Sequence, residues 1–256
     1  MATPFKFIIL TLTLGLTLAT SAQTAKWVDY FTAIKKYDLS ILWRADSIKI
    51  EGGDDKISFP EQLGYIGENY QRFYIHYITV KKSKDNPYIY NVYGKTKVKD
   101  NICSFKGTIT VTKAMLYKEA DDPRFKQGSV ICNVNFYEDS TQTSSGFIKG
   151  TLTTNFYLDK KDKIHYDALV FSADGFSNNA CSALWTSFKT GKSKKCNWGD
   201  FRIPDSGNLD IGAGEFSADD KYVKYGWGNY RLAWNNYPDT PEVIKARQKE
   251  NTKWWK

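Results

Sequence analysis

The stretch ICSFKGTITVTKAMLY, residues 102–117, alternates between two kinds of side chain over most of its length. Because successive side chains of a strand point to opposite faces, this pattern predicts a β-strand with one buried face and one solvent-facing face. The expected inward residues are Cys103, Phe105, Gly107, Ile109, Val111 and Met115, and the expected outward residues are Ser104, Lys106, Thr108, Thr110 and Thr112.

Five further segments alternate or are rich in β-forming residues, and turns containing Asp, Asn, Ser, Lys and Pro separate them. The segments are ENYQRFYIHYITV (68–80), PYIYNVYGKTKV (87–98), GSVICNVNFYE (128–138), GFIKGTLTTNFYLD (146–159) and KIHYDALVFSA (163–173). Regularly spaced strands joined by short turns predict an antiparallel meander.

A short phrase recurs in three strands, as VYGKTK, FKGTIT and IKGTLT, and it places Gly94, Gly107 and Gly150 on the inward face. An inward glycine lets a sheet coil sharply or lets a neighbouring backbone approach. The sequence therefore predicts a mainly β fold in which the meander forms a closed or strongly curled β-barrel. Chance recurrence in strands rich in Lys, Thr and Gly is the alternative.

At the level of architecture this pattern is similar to calycin barrels such as lipocalins and avidins. The G-x-W signature of their first strand is missing, because neither Trp27 nor Trp43 has a glycine two residues before it. The resemblance implies an architecture, and it assigns no role to any residue of this chain.

Segments before and after the predicted strands have apolar residues at the spacing of a helix. Trp27, Phe31 and Ile34 predict an N-terminal helix within residues 27–37, and the segment 217–234 predicts a helix packed on the barrel. We expect one domain over residues 23–237 and a helical tail over 238–256. The tryptophans at 254 and 255 are expected to dock on this domain, with contact to a partner as the alternative.

Residues 1–22 are typical of a secretory signal peptide, with Lys6, a short apolar run and small residues before the expected cleavage between Ala22 and Gln23. The run is too short to span a bilayer as a settled helix. The mature chain is therefore predicted to be exported, periplasmic or secreted, and soluble, with no transmembrane segment.

The formal net charge is +8, and lysines gather at predicted turns such as 81–85, 160–163 and 192–195. Lysine-rich turns usually keep sheets soluble and discourage edge pairing. We therefore expect a solvated surface and no nucleic-acid partner.

The chain has four cysteines, Cys103, Cys132, Cys181 and Cys196, and two histidines. This set lacks the spacing of a zinc site, so no metal or other cofactor is predicted. An even count in an exported protein suggests disulfides, and Cys181 with Cys196 is the predicted pair. Cys103 and Cys132 would pair only across non-sequential strands, or remain buried thiols.

The candidate site lies in CNWGDFRIPDSGNLDIGAGEF, residues 196–216. In an extended strand Trp198, Asp200 and Arg202 share one face, which at a barrel mouth would hold a sugar or an anion. A rim salt bridge beneath a tryptophan plug is the competing structural interpretation. Trp185, with Tyr74 and Tyr90 further out, completes the predicted ligand-binding set.

The leading functional hypothesis is an exported, non-enzymatic binding protein that holds a small apolar molecule or a glycan at an aromatic-lined barrel mouth. The first alternative is a secreted hydrolase acting on polysaccharide, with Asp200 and Glu215 as its two carboxylates. The second is an envelope structural or interaction module that uses the KWWK tail. His76 shares a strand face with Arg72 and Tyr74, so we expect a hydrogen-bonded histidine there rather than a catalytic base.

Overall fold

The structure, a computed structural model, describes residues 26–234 and 238–256. The segment 1–22, for which the sequence predicts a secretory signal, lies outside the described residues. The predicted boundary at residue 237 also falls outside them.

Eight antiparallel strands form a closed barrel, which confirms the predicted fold class. Consecutive strands pair with each other, and the last barrel strand pairs with the first to close the sheet. The barrel strands are β4 (Leu63–Ile66), β5 (Gln71–Lys82), β6 (Ile89–Val98), β7 (Asn101–Tyr117), β8 (Lys126–Glu138), β9 (Gly146–Leu158), β11 (Asn178–Ser187) and β12 (Ser193–Asp200).

Shorter elements surround the barrel. Strand β1 (Trp27–Asp29) extends the sheet beside β7, and β10 (Ile164–Tyr166) pairs with β9. The remaining elements are the ribbon of β2 (Ser47–Lys49) and β3 (Lys56–Ser58), the helices α1 (Phe31–Ile34), α2 (Gly228–Trp234) and α3 (Pro241–Glu250), and short 3₁₀ turns at Leu39–Leu42, Gly207–Leu209 and Asp220–Tyr225.

The three recurring glycines lie where neighbouring chain segments approach closely. A Cβ atom on Gly107 would lie 2.0 Å from the carbonyl oxygen of Asn135, and one on Gly94 would lie 2.3 Å from that of His76. At Gly150 the nearest backbone atom, the carbonyl oxygen of Ser182, would be 2.4 Å away. Any larger residue would push two strands apart, so these glycines let the barrel wall curve.

Aromatic side chains fill the barrel interior. Phe105 and Phe136 lie 4.8 Å apart between ring centroids, and Phe136 also packs against Tyr77 and Trp198. The Trp198 Nε1 donates to the Tyr77 hydroxyl over 3.2 Å. The interior is therefore a packed core, as expected for a barrel of eight strands.

The segment before β2 plugs one end of the barrel. Trp43 is buried and its Nε1 donates to the Thr154 Oγ1 over 2.8 Å, while the Leu39 amide donates to the Tyr90 hydroxyl over 3.0 Å. Leu39 and Leu42 are buried beside them. We call this the plugged end.

The predicted N-terminal helix is confirmed, but it is shorter than the segment 27–37 in which the sequence pattern placed it. Residues Trp27–Asp29 form β1, and only Phe31–Ile34 is helical. The exposed edge of β7 offers unpaired backbone groups to the incoming chain, and this pairing overrides the helical spacing of three apolar residues. The single helix predicted over residues 217–234 is interrupted. Gly226 adopts a left-handed φ of 96° and separates the 3₁₀ turn Asp220–Tyr225 from α2.

One register prediction within β7 is also wrong. A bulge between Val111 and Lys113 reverses the alternation, so Ala114 is buried where the sequence pattern predicted Met115. An extra residue in one strand shifts every later side chain to the other face.

The predicted disulfide between Cys181 and Cys196 is wrong, because all four cysteines are free and buried. Cys181 pairs in register with Trp198, and the next pairs place Leu184 opposite Lys195, so the two cysteines are not opposite each other. Burial raises the pKa of the Cys103 thiol to about 11 and that of the Cys181 thiol well above its usual value. Cys103 and Cys132 are buried thiols, the alternative that the sequence left open.

Within the part of the chain that the structure describes, no helix has the length and hydropathy needed to span a membrane.

We predict that Gly107→Ala destabilises the barrel by about 3 kcal/mol or more, because the added methyl group meets backbone atoms that cannot move aside. Urea unfolding followed by tryptophan fluorescence measures the effect. Gly53→Ala is the matched control, because a Cβ atom there has no neighbour closer than 3.9 Å and the backbone is not left-handed. Equal stability of the two variants would contradict the close-approach argument.

Candidate functional site

A cleft of about 1140 Å³ lies beside the plugged end of the barrel. Its walls are the plug, the segment that leads into β4, the outer face of β5, the loops before β11 and after β12, and the C-terminal residues. The side chains that line it include Trp43, Glu61, Gln62, Arg72, Tyr74, His76, Tyr77, Phe171, Phe176, Phe201, Glu215, Glu250, Trp254 and Trp255.

Three phenylalanines form one aromatic wall of the cleft. Phe171, Phe176 and Phe201 lie 5.2–5.5 Å from one another between ring centroids, in edge-on and tilted arrangements. Phe201 reaches this cluster because its φ of 65° turns the chain sharply after β12 ends at Asp200. Such a wall offers apolar surface to the face or edge of a ligand.

Gln62 is one of two cleft residues whose hydrogen bonding is incomplete among the described residues; the other is Arg72, whose Nε and Nη1 have no hydrogen-bond partner. The Gln62 side chain is buried, with the residue 7% exposed, and neither amide atom has a hydrogen-bond partner among the described residues. Burial raises the pKa of the Tyr77 phenol well above its usual value, and interactions of its hydroxyl with the Trp198 and Gln62 side chains oppose this rise. The Tyr77 hydroxyl is therefore a polar neighbour of the Gln62 amide, but the two groups do not meet with the distance and angle of a hydrogen bond. A buried amide without partners costs about 1–3 kcal/mol, so this group is a candidate for contact with a ligand or water.

A chain of buried hydrogen bonds runs from the plug to Asp200. Trp43 donates to the Thr154 hydroxyl, which donates to the Asn179 Oδ1 over 2.8 Å. The Asn179 Nδ2 then donates to the Asp200 Oδ2 over 2.6 Å, and the Tyr166 hydroxyl donates to the same oxygen over 3.0 Å. Trp43 lines the cleft, so the network connects the cleft wall to a fully buried carboxyl.

Asp200 is only partly satisfied by this network. Its Oδ1 has no hydrogen-bond partner in the described parts of the chain, and the residue is 0% exposed. Burial raises the pKa of this carboxyl to about 7, the bonds from Asn179 and Tyr166 oppose the rise, and the Glu61 charge adds to it. The carboxyl therefore changes its charge near neutral pH.

The C-terminal tryptophans cover the outer face of β5. Trp255 stacks on His76 with ring centroids 3.7 Å apart and planes 13° apart, and Trp254 meets Tyr74 edge-on at 5.9 Å. The His76 Nδ1 lies 3.0 Å from the Glu61 Oε2. The tail thus docks on its own barrel and supplies one wall of the cleft. His76 is a hydrogen-bonded member of an aromatic face.

Arg72 fixes the C-terminal helices against the barrel. Its Nη2 lies 3.2 Å from the Glu250 Oε2 in a pair whose side chains are 4% and 7% exposed. The guanidinium also lies over the rings of Trp227, Tyr230 and Tyr74, at 4.3, 4.8 and 4.7 Å from their centroids. Stacking on three rings and a buried ion pair make Arg72 the main attachment of the tail.

The predicted trio of Trp198, Asp200 and Arg202 does not form one binding face. Trp198 and Asp200 are buried, and the turn at Phe201 directs Arg202 into the glycine-rich loop. There the Arg202 Nη1 lies 2.7 Å from the Asp210 Oδ2 rather than pairing with Asp200. Its Nη2 donates to the carbonyls of Gly212, Ala213 and Gly214. The Gly-rich stretch is a loop folded around a guanidinium.

The remaining predicted residues are dispersed. Tyr90 is buried under the plug, and the Trp185 Nε1 donates to the buried Glu138 carboxylate at the opposite end of the barrel. Tyr74 lies in the cleft, as does Glu215, which is exposed. The structure therefore brings Tyr74 and Glu215 to the cleft and places Asp200 beneath it.

The sequence pattern gave little indication of Gln62 or Glu250. Gln62 lies two residues after Pro60 in a short connecting segment, and Glu250 lies 178 residues from its partner Arg72. Arg72 itself was visible as a charged residue on a strand face with Tyr74 and His76. Among the residues described, no group of three or more His, Cys, Asp or Glu side chains converges in a way that could hold a metal ion.

Comparison of the chain with protein-family models, curated proteins and solved structures finds no match.

We predict that Asp200→Asn changes how stability depends on pH. The folded-state pKa of about 7 lies above the ordinary value of 3.8, so the unfolded chain ionises first and the native protein loses stability as pH rises from about 4 to about 7. The loss is on the order of 4 kcal/mol. The asparagine variant should match the parent near pH 4 and exceed its free energy of unfolding at pH 8.

Asp159→Asn is the control of opposite sign. Although desolvation opposes it, hydrogen bonds from the Lys163 and Lys161 amides and from His165 lower the Asp159 pKa to about 2. That variant should lose stability at neutral pH and approach the parent as pH falls toward 2. Parallel pH profiles for the parent and Asp200→Asn, measured by urea unfolding, would show that Asp200 is not the titrating group.

Proposed function

We propose that this protein is an exported, non-enzymatic binding protein that holds a small ligand in the cleft between the plugged barrel end and the C-terminal tail. The packed interior leaves the cleft, rather than the barrel lumen, as the place for a ligand. Its volume lies slightly above the usual range of small-molecule pockets. The N-terminal sequence pattern supports export.

The observation that carries this proposal is Gln62, a buried amide on the cleft wall with both of its polar atoms unpaired. A ligand group that both donates and accepts a hydrogen bond would satisfy the two atoms together. Hydroxyl and amide groups have this property.

The aromatic walls of the cleft indicate which kind of surface the rest of the ligand has. The three-phenylalanine cluster stands on one side, and the rings of Tyr74, Trp254 and Trp255 stand on another. Such rings favour a ligand with an apolar face, either a planar ring or the apolar face of a sugar. We therefore propose an amphiphilic small molecule or a glycan unit, with its hydroxyl or amide directed to Gln62.

The hydrolase alternative receives little support from the geometry. Glycoside hydrolysis needs two carboxyls that both reach one substrate. Asp200 is fully buried, whereas Glu215 is exposed on the cleft rim. Turnover of a glycan by the parent that disappears in both Asp200→Asn and Glu215→Gln would establish the hydrolase instead.

We predict that Gln62→Leu separates stability from binding. Removing an unpaired buried amide should leave the free energy of unfolding unchanged or raise it by about 1–3 kcal/mol. The same change should weaken binding in the cleft about 10-fold, the effect of losing one or two hydrogen bonds. Displacement of 1-anilinonaphthalene-8-sulfonate by a panel of oligosaccharides and small aromatic amides measures the affinity.

Gln127→Leu is the matched control. Gln127 is also buried, but its amide bonds to the Asp167 carboxylate over 2.9 Å and to Asp121. This variant should lose stability, because it removes the donor to the Asp167 Oδ2 and leaves only the Leu169 amide, among the described donors, bonded to that buried carboxylate, and should keep the parent's affinity. A Gln62→Leu variant that binds every member of the panel like the parent would contradict the proposal.

A further inference from the structure

The end of the barrel opposite the plugged end has a surface rich in lysines and exposed apolar side chains. Consecutive antiparallel strands alternate in direction, so the turns at 67–70, 99–100, 139–145 and 187–192 lie together at this end. On the outer wall near these turns and around the rim of the barrel at this end, lysines and exposed apolar side chains are interleaved. We define the lysine–aromatic face as Lys106, Tyr137, Phe147, Lys149, Leu184, Phe188, Lys189, Lys192, Lys194 and Lys195.

The apolar part of this face is continuous and exposed. Tyr137 and Phe147 are paired across β8 and β9 with ring centroids 6.0 Å apart, and Phe147 lies 5.9 Å from Phe188. Tyr137 is 48% exposed, Phe188 42% and Leu184 50%. Leu184 pairs with Lys149 on one side and Lys195 on the other, which joins the apolar row to the lysines.

The charge of the face is one-sided. Within residues 101–106, 137–149 and 184–195 there are six lysines and two acidic residues, and one of these acids, Glu138, is buried. None of the six lysines forms an ion pair within 4 Å of a described carboxylate. By contrast, the plugged-end turns 83–88, 118–125 and 159–163 contain six basic and six acidic residues.

We propose that the lysine–aromatic face docks the protein on an anionic phospholipid bilayer. Unpaired lysines are attracted to the negative surface of such a membrane, and exposed aromatic and aliphatic side chains enter the boundary between headgroups and acyl chains. Leucine has no ring to stack on a base, so the presence of Leu184 beside the aromatic row favours a lipid surface over a nucleic acid.

The position of the face fits this role. The face lies at the end of the barrel opposite the plugged end beside which the cleft opens. Its β9 residues are four strands from β5, and its β12 lysines are two strands from β5. A membrane on this side leaves the cleft open to solvent. The inference stands independently of what the cleft binds.

The test measures co-sedimentation of the mature chain, residues 23–256, with vesicles of phosphatidylcholine alone and of phosphatidylcholine mixed with phosphatidylglycerol. We expect binding only to the mixed vesicles, weakened by high salt. The triple variant K192Q/K194Q/K195Q should bind on the order of 100-fold more weakly, since each lysine near the surface contributes a factor of about 5. The variant Y137S/F188S should lose the binding that persists at high salt.

The matched control is K160Q/K161Q/K163Q, which removes the same charge from a turn at the plugged end and should bind like the parent. The proposal is overturned if both triple variants lose binding equally, or if the parent does not prefer phosphatidylglycerol. It is also overturned if the parent binds double-stranded DNA as tightly as vesicles and Y137S/F188S changes neither, because the face then recognises polyanions in general. Thermal melting of each variant verifies that the barrel is folded.

Discussion

A barrel of eight strands encloses only as much space as its own inward side chains can fill, and here large aromatic rings fill it. The interior is occupied by Phe105, Phe136, Trp198 and Tyr77. Around them the backbones of β7 and β8 approach closely at Gly107, so the barrel has a small inner diameter. This packing constrains everything outside it. A ligand has no room in the lumen, so recognition moves to the cleft that the plug, the loops and the tail build beside one end.

Glu138 and Asp200, the two buried acidic residues of the barrel strands, differ in how completely their carboxyl groups are hydrogen-bonded. Glu138 accepts bonds from the Gly146 amide and the Trp185 indole, and also from the Thr96 hydroxyl, so both of its oxygens are engaged. Asp200 has both of its donors on one oxygen. A buried polar network is stabilising when it is complete and costly when it is partial. Asp200 and Gln62 are two such incomplete groups at the plugged end, and the Arg72 and Arg202 guanidinium groups are also incompletely bonded within the described part of the chain.

The sequence was sufficient to predict the barrel because alternation and turn chemistry are local properties. The period of two in β7 and the inward glycines required no knowledge of distant residues. Predictions failed where a tertiary contact decided the outcome. The pairing of Trp27–Asp29 with β7 overrode helical spacing, and the register of β11 against β12 separated two cysteines that are close in sequence.

The site was harder to predict for the same reason. The trio of Trp198, Asp200 and Arg202 shares one face only if the strand continues past Asp200, and the left-handed φ of Phe201 ends it there. Local pattern gives no warning of this turn, because phenylalanine rarely adopts such a conformation. Gln62 became a candidate only when the structure showed that its amide is buried and unpaired.

The C-terminal tail is a wall of the proposed ligand site and not a free arm. Its tryptophans resemble an exposed arm for a partner when only the letters KWWK are considered, yet Trp255 stacks on His76 and Glu250 pairs with Arg72. Removing the tail would leave the Arg72 guanidinium without its carboxylate partner and would open one side of the cleft. Truncation would therefore alter the proposed ligand site together with any partner contact. The lysine–aromatic face, built on β7–β9 and the β11–β12 hairpin, does not depend on the tail.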